Sequence, residues 1–220
     1  MNWSWMLPEG FSTVSGDIDF IYYVILWITG VIFVGTEALL IYFLVRYRHV
    51  EGRKAAFHHG STKVEVVWTM IPLFIVIGLG IMSKGVWDRV KREVPPGGLG
   101  YIVTARQFEW NTTYPGPDGA LGTADDFSTL NALHAPVGRP IVLTLRAEDV
   151  LHSFFIPEFR IKQDAVPGRD ITVWFEATQP GEYTLGCAEL CGIGHTTMNG
   201  AVTIYTAADY QAWAATQSAQ

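Results

Sequence analysis

Phe20-Ile-Tyr-Tyr-Val-Ile-Leu-Trp-Ile-Thr-Gly-Val-Ile-Phe-Val-Gly-Thr-Glu37-Ala-Leu-Leu-Ile-Tyr-Phe-Leu-Val45 is a 26-residue run whose only charge is Glu37. About 20 apolar residues in a helix cross a hydrocarbon core of about 30 Å, so the run reads as a membrane span. Val64 to Met82 is a second apolar run, 19 residues long, with Glu65 as its only charge. Two stretches this poor in charge are rare outside bilayers, and a pair of buried helices in a soluble protein is the weaker reading. The pattern predicts helices over about 20–46 and 64–87, and an N-terminal portion, 1–94, made of a leading segment and a transmembrane hairpin.

The connecting segment carries Arg46, Arg48, Arg53, Lys54 and Lys63 against Glu51. By the positive-inside rule it lies on the cytoplasmic side, which sends both termini and everything beyond about Trp87 to the outer face. For a bacterial plasma (inner) membrane that face is the periplasm. No basic region precedes the first run, so no cleaved signal peptide is expected.

Pro95-Pro96-Gly97-Gly98 marks a change of character and the start of a second domain, 95–220. Tyr101–Trp110, Pro140–Ala147, Asp170–Ala177, Gly181–Gly186 and Gly200–Thr206 are rich in β-branched and aromatic residues and bounded by Pro, Gly or Asp. Short strands at such spacing predict a small all-β sandwich or Greek-key barrel. Ala207–Gln217 reads as a C-terminal helix opened by a Thr206/Asp209 capping box. From Pro95 onward six Lys/Arg face thirteen Asp/Glu, an acidic balance that disfavours a nucleic-acid partner and would steer a basic soluble one. The turn-rich segment Asp118 to Asp126 holds three aspartates that could take calcium, although EF-hand spacing is missing.

Both cysteines of the chain fall in Cys187-Ala-Glu-Leu-Cys191-Gly-Ile-Gly-His195-Thr-Thr-Met198. A disulfide is the ordinary fate of two near cysteines in an outward-facing domain, and with His195 and His152 the pair could also close a tetrahedral zinc site. Met198 favours copper, because a thioether is a natural copper ligand and an unusual zinc one. Two Cys also argue against a one-copper site, which takes a single Cys. Two bridging thiolates between two copper ions let an unpaired electron spread over both metals, with His152 and His195 as terminal ligands, Met198 weakly on one copper and the Glu189 backbone carbonyl on the other. No Cys-x-x-Cys-His is present, so no haem is attached to this chain.

The pattern Cys187-x-Glu189-x-Cys191-Gly-x-x-His195-x-x-Met198, with Glu148-Asp149-Val150-Leu151-His152-Ser153 and Ile161-Lys162-Gln163-Asp164-Ala165-Val166-Pro167-Gly168-Arg169, resembles subunit II of haem–copper cytochrome c oxidase. The similarity runs over roughly residues 20–205. It implies a cupredoxin-like Greek-key domain behind the hairpin and a dinuclear copper centre, CuA, on His152, Cys187, Glu189 (carbonyl), Cys191, His195 and Met198. It further implies a magnesium ion on the Glu189 side chain, shared with the haem-bearing subunit I, and a soluble electron donor, cytochrome c or a similar carrier. Lys63-Val64-Glu65-Val66-Val67-Trp68-Thr69 is similar to the start of the family's second helix and makes Glu65 the candidate entrance of a proton pathway.

What the resemblance implies functionally is a terminal oxidase subunit that takes single electrons from cytochrome c and passes them to haem for reduction of oxygen to water, coupled to proton translocation. The alternatives are an electron-input subunit of a nitric oxide reductase or another respiratory complex, and a membrane-anchored copper-delivery protein. In the first strand the family carries two tryptophans two apart, whereas this chain reads Gln107-Phe108-Glu109-Trp110. Phe108 and Trp110 are expected to share one strand face and form the electron-entry surface. Asp164, Glu148 and Asp149 match acidic docking positions. Glu37, about 13 Å along the helix from Arg46, matches no family role and is expected to face the catalytic subunit, since lipid exposure of a carboxylate is costly.

Overall fold

The computed structural model describes residues 7–54 and 56–217, which divide into two units: the residues up to Ile18 together with Arg89–Gln220, and Asp19–Asp88. The second unit holds most of the two long helices, α1 (Ser15–Arg46) and α2 (Thr62–Trp87). Both keep apolar side chains such as Phe33, Leu44 and Ile81 exposed around their circumference. Only a helix satisfies every backbone N–H and C=O within such an apolar segment, so even the many Val and Ile residues, ordinarily strand formers, adopt it. Glu37 lies within α1, and Glu65 sits in the first turn of α2, where a negative side chain suits the positive end of the helix dipole.

Among the described residues, the first unit contains ten strands. β1 (Leu99–Arg106), β2 (Glu109–Tyr114), β3 (Phe127–Leu130), β5 (Ile141–Ala147) and β8 (Ile171–Phe175) form one sheet in the order β3-β2-β1-β5-β8. β4 (Ala132–Pro136), β6 (His152–Ile156), β7 (Ile161–Ala165), β9 (Gly181–Cys187) and β10 (Asn199–Tyr205) form the other, in the order β4-β10-β9-β6-β7. β1 pairs with β5, and β4 with β10, in parallel; the remaining pairs are antiparallel. Alternating side chains from the two sheets meet in one core that includes Val103, Leu143, Leu145, Phe154, Leu185 and Val202.

The two ends of this sandwich are built differently. At one end α3 (Ala207–Gln217) closes the core with Trp213, whose ring lies 4.4 Å from that of His134 and 5.2 Å from that of Tyr114. Below it the hydroxyls of Tyr101 and Tyr210 share a hydrogen bond of 2.7 Å. The Thr206 hydroxyl opens α3 by accepting from the Asp209 N–H at 3.3 Å, as the capping pattern predicts. The other end carries the loop from Cys187 to Met198.

The leading segment, grouped with the hairpin in the sequence reading, is instead stitched to the β domain. Phe11 N–H donates to the Glu158 carbonyl at 2.7 Å, Thr13 N–H to that of Glu176 at 3.0 Å, and Thr178 N–H to that of Phe11 at 2.9 Å. Ser12 bridges Ala177 just beyond the free edge of β8. Asp17 and Arg89, on the two chain segments that leave this unit for the hairpin, form an ion pair. The segment was missed because a seam of three backbone hydrogen bonds leaves no periodic apolar pattern.

Candidate metal centre

β9 delivers Cys187 at its last residue, β6 delivers His152 at its first, and the chain between β9 and β10 folds back over both. The loop is closed by Cys187 N–H donating to the Met198 carbonyl at 3.2 Å and by a short 3-10 turn at His195–Thr197. Its soft atoms line up in sequence. Cys187 Sγ lies 3.9 Å from His152 Nδ1 and 3.2 Å from the Glu189 carbonyl oxygen. Cys191 Sγ lies 3.9 Å from Cys187 Sγ, 3.7 Å from His195 Nδ1 and 3.7 Å from Met198 Sδ. Both thiols are free, so the disulfide reading does not describe this structure.

The spacing also bears on zinc. His152, Cys187 and Cys191 keep their ligand atoms within 4.8 Å of one another, and His195 falls outside that group. Donors on a single zinc ion lie within about 4.6 Å of each other, twice the longest Zn–S bond, so the four side chains are not gathered around one ion. Each histidine instead stands beside its own thiol. These positions would suit two ions rather than one, with Cys187 and Cys191 able to serve both, His152 and the Glu189 carbonyl on the Cys187 side, and His195 and Met198 on the Cys191 side. Soft thiolates, imidazoles and a thioether match copper.

His152 and Met198 are completely buried and Cys191 nearly so. Burial, together with the neighbouring Cys187, pushes the Cys191 thiol up to about 11, so metal has to displace a firmly held proton. His152 is oriented from behind: its Nε2–H donates to Asp149 Oδ1 at 2.8 Å, which leaves the Nδ1 lone pair directed to Cys187. Asp149 also accepts from the N–H of Gln107 at 2.7 Å and of Val150 at 2.6 Å. Burial alone would raise its pKa, but these three hydrogen bonds outweigh it and hold the carboxyl below its usual range.

Gln107 links the two ligand segments. Its backbone binds Asp149, and its side-chain amide donates to the Cys191 carbonyl. The glycines of the loop make room for this clamp. Gly192 has φ of 137°, and a Cβ there would fall 2.7 Å from Gln107 Nε2; a Cβ on Gly194 would fall 2.5 Å from the Phe108 ring. Gln107 and Asp149 in this role were not foreseen. A carboxylate three residues before a buried histidine was the available signal.

The expected aromatic surface is different in structure. Phe108 sits in the turn between β1 and β2 and is about one-third exposed, whereas Trp110 is fully buried on β2, with its ring 6.2 Å from that of His152 and 5.7 Å from that of Phe154. The turn breaks the strand between them, so a spacing of two no longer places them on one face. Trp110 supports His152 from within the core, and Phe108 alone reaches the surface.

Glu189 faces two ways: its carbonyl approaches Cys187, while its side chain is partly exposed and lies 3.9 Å from Lys162 Nζ. Asp164, beside the Ser153 hydroxyl on the neighbouring strand and paired with Lys162 at 3.2 Å, is held below the usual carboxylate range. In the 118–126 loop the aspartates accept from their own turn, with Ala120 N–H on Asp118 and Gly122 N–H on Asp126. Glu65 and Glu37 belong to the other unit.

The family model for the periplasmic domain of cytochrome c oxidase subunit II matches residues 111–204, and that for its transmembrane domain matches residues 1–86. The alternative cytochrome c oxidase subunit 2 of Bradyrhizobium diazoefficiens is 32% identical, over 95% of this chain and 82% of that protein. Cytochrome c oxidase subunit 2 of Thermostichus vulcanus is 29% identical, over 94% of this chain and 77% of its own. Among solved structures, the periplasmic domain of subunit II of cytochrome oxidase from Bradyrhizobium japonicum covers 57% of this chain and 96% of its own, at 28% identity and a TM-score of 0.49. A hairpin of apolar helices, a cupredoxin-like sandwich and a soft-donor loop thus occur together in a chain that belongs to the cytochrome c oxidase subunit II family.

Proposed function

We propose that this chain is the electron-entry subunit of a terminal cytochrome c oxidase: it accepts single electrons from cytochrome c, or a similar soluble carrier, at a CuA centre and passes them to haem in subunit I, where oxygen is reduced to water with proton translocation. The observation that carries this reading is the order of donor atoms, one histidine beside each of two thiols 3.9 Å apart. Bound there, the copper pair supplies one-electron relay with little change of geometry.

The chain's residues supply the rigidity. Asp149 fixes the ring of His152, Gln107 fixes the Cys191 carbonyl, and Trp110 fills the space under the site; all three limit how far the ligands can move when charge arrives. In the proposal the Glu189 side chain, partly exposed and 3.9 Å from Lys162 Nζ, holds magnesium at the boundary with subunit I. Glu65 opens a proton path, Glu37 faces the catalytic subunit, and both termini with the copper domain lie on the periplasmic side of a bacterial inner membrane.

The test uses the full chain in its complex. Two copper ions per chain, and a paramagnetic signal from one electron shared equally by both nuclei, are expected, together with a haem-bearing partner that consumes oxygen when fed reduced cytochrome c. One copper or zinc per chain would reject the site. Nitric oxide consumption without oxygen consumption would favour the reductase alternative, and copper without haem the delivery alternative.

A further inference from the structure

We propose that the chain binds the phosphate of an anionic phospholipid in the cavity at the C-terminal end of α1, through Arg46, Arg48 and Arg53. The site belongs to the membrane anchor and is independent of the electron-entry reading. The cavity, of about 360 Å³, is lined by Tyr42, Val45, Arg46, Arg48, Val50 and Arg53. The residues that follow α1 build it. Arg53 N–H donates to the Val50 carbonyl at 3.1 Å, closing a turn whose third residue, Gly52, has φ of 79°. Glycine takes that left-handed conformation without a Cβ penalty, and it turns the chain back toward the helix. The Arg53 guanidinium then donates from Nη1 to the Arg46 carbonyl at 3.2 Å and from Nη2 to the Arg48 carbonyl. Carbonyls at a helix C-terminus lack partners within the helix and carry its negative end, so a cation is their natural cap. The cap uses two of the five guanidinium N–H groups and leaves three for a ligand.

The three positive charges are not spent within the chain. Beyond the other end of the helices, Lys84 pairs with Asp88 and Arg89 with Asp17. Among the described residues no carboxylate pairs with Arg46, Arg48 or Arg53, although Glu51 lies in the same loop. The Arg46 guanidinium lies over the Tyr47 ring, 5.4 Å from its centroid, a contact that leaves its N–H groups available. Guanidiniums bind phosphate oxygens by forked, charge-assisted hydrogen bonds, which fits a phosphate diester. The other lining residues, Tyr42, Val45 and Val50, are suited to the glycerol and the start of an acyl chain. The cavity stands at the end of a helix long and apolar enough to cross a membrane, where lipid headgroups are the abundant anions. Free phosphate would leave the apolar lining unused, and a zwitterionic lipid would bring its ammonium among three like charges.

The experiment is photo-cross-linking of the detergent-solubilised complex with phosphatidylglycerol that carries a photoreactive group on its glycerol, read by mass spectrometry of the labelled peptides. Label is expected on residues 42–54, displaced by unlabelled phosphatidylglycerol and retained against equal phosphatidylcholine or inorganic phosphate. Arg48 gives only its backbone carbonyl to the cap, so its replacement leaves the turn in place. Arg48→Gln should lower labelling about tenfold, the loss of charge-assisted hydrogen bonds. Arg48→Lys keeps the charge and loses the fork, and should lower it about threefold. Lys54→Gln removes the same charge from the same loop outside the cavity and should lower it less than about twofold. Equal losses in Arg48→Gln and Lys54→Gln would show diffuse attraction and overturn the site. Displacement by inorganic phosphate would overturn the lipid assignment, and absence of label from residues 42–54 would overturn both.

Discussion

The two ends of the β sandwich solve the problem of closing a core in opposite ways. At the α3 end, rings of Tyr101, Tyr114, His134, Tyr205 and Trp213 pack on one another, and that closure needs nothing from outside. At the copper end the core is capped by two free thiols, two imidazoles and a thioether, whose mutual contacts are too weak to hold a loop. The loop is kept in place by a polar clamp through Gln107 and Asp149 and by the space that two glycines leave. The difference teaches that one end is a source of stability, while the other, on the proposed reading, would be a prearranged receptor that gains stability on taking metal.

The largest effect that would sharpen this contrast comes from Cys191→Ser. Loss of a bridging sulfur should remove the two-copper centre altogether, seen as at most one copper per chain and loss of the shared-electron signal, while the fold, followed by circular dichroism, survives. Trp213→Ala should do the converse. It removes the ring that joins α3 to His134 and Tyr114 and should cost about 2–4 kcal/mol in thermal unfolding, with the copper spectrum unchanged. A copper spectrum that shifts with Trp213→Ala would break the idea that the ends are independent.

pH separates the ends again. Burial holds the Cys191 thiol protonated through the neutral range, and copper takes both Cys187 and Cys191 as thiolates, so a proton leaves each and apparent affinity should rise by up to about a hundredfold per pH unit. The direction follows from the sign: raising pH removes the competing proton, and the gain ends as the pH reaches the thiol's own value. Copper titrations at pH 6, 7 and 8 check it, and an affinity independent of pH would contradict it. The smallest effect is expected from Gln107→Ala, which frees the Cys191 carbonyl. Losing one such hydrogen bond, worth about 1 kcal/mol, should speed removal of copper by a chelator by about fivefold.

The cluster proposed to hold copper was legible because soft donors are rare and their spacing is local; only His152 had to be brought from another strand. The hairpin was legible because lipid permits little but a helix. Several strands were harder. β7 contains Lys162-Gln163-Asp164 and reads as polar because it is an edge strand, and β3 is four residues long. His152-Ser-Phe-Phe-Ile156 was read for its histidine, and four of its five residues are buried, so alternation does not announce a strand. The clamp was hidden for another reason. Asp149 looks like a surface charge in sequence, and only the fold shows that its oxygens are occupied by backbone N–H groups and an imidazole.

The seam formed by Phe11, Ser12 and Thr13 makes the hairpin, in effect, an insertion into the β domain: the domain's polypeptide begins before the first span and resumes after the second. Synthesis therefore delivers one piece of the domain before the spans and the rest after them, and the domain is complete only when both lie on the same side of the membrane. A soluble fragment cut at residue 95 would leave the ring of Phe11 missing from its place 5.5 Å from Tyr183 and the end of β8 uncovered. Such an uncovered edge invites pairing with another copy. Fragments designed for copper loading gain by carrying residues 8–15 on a short linker in place of the spans.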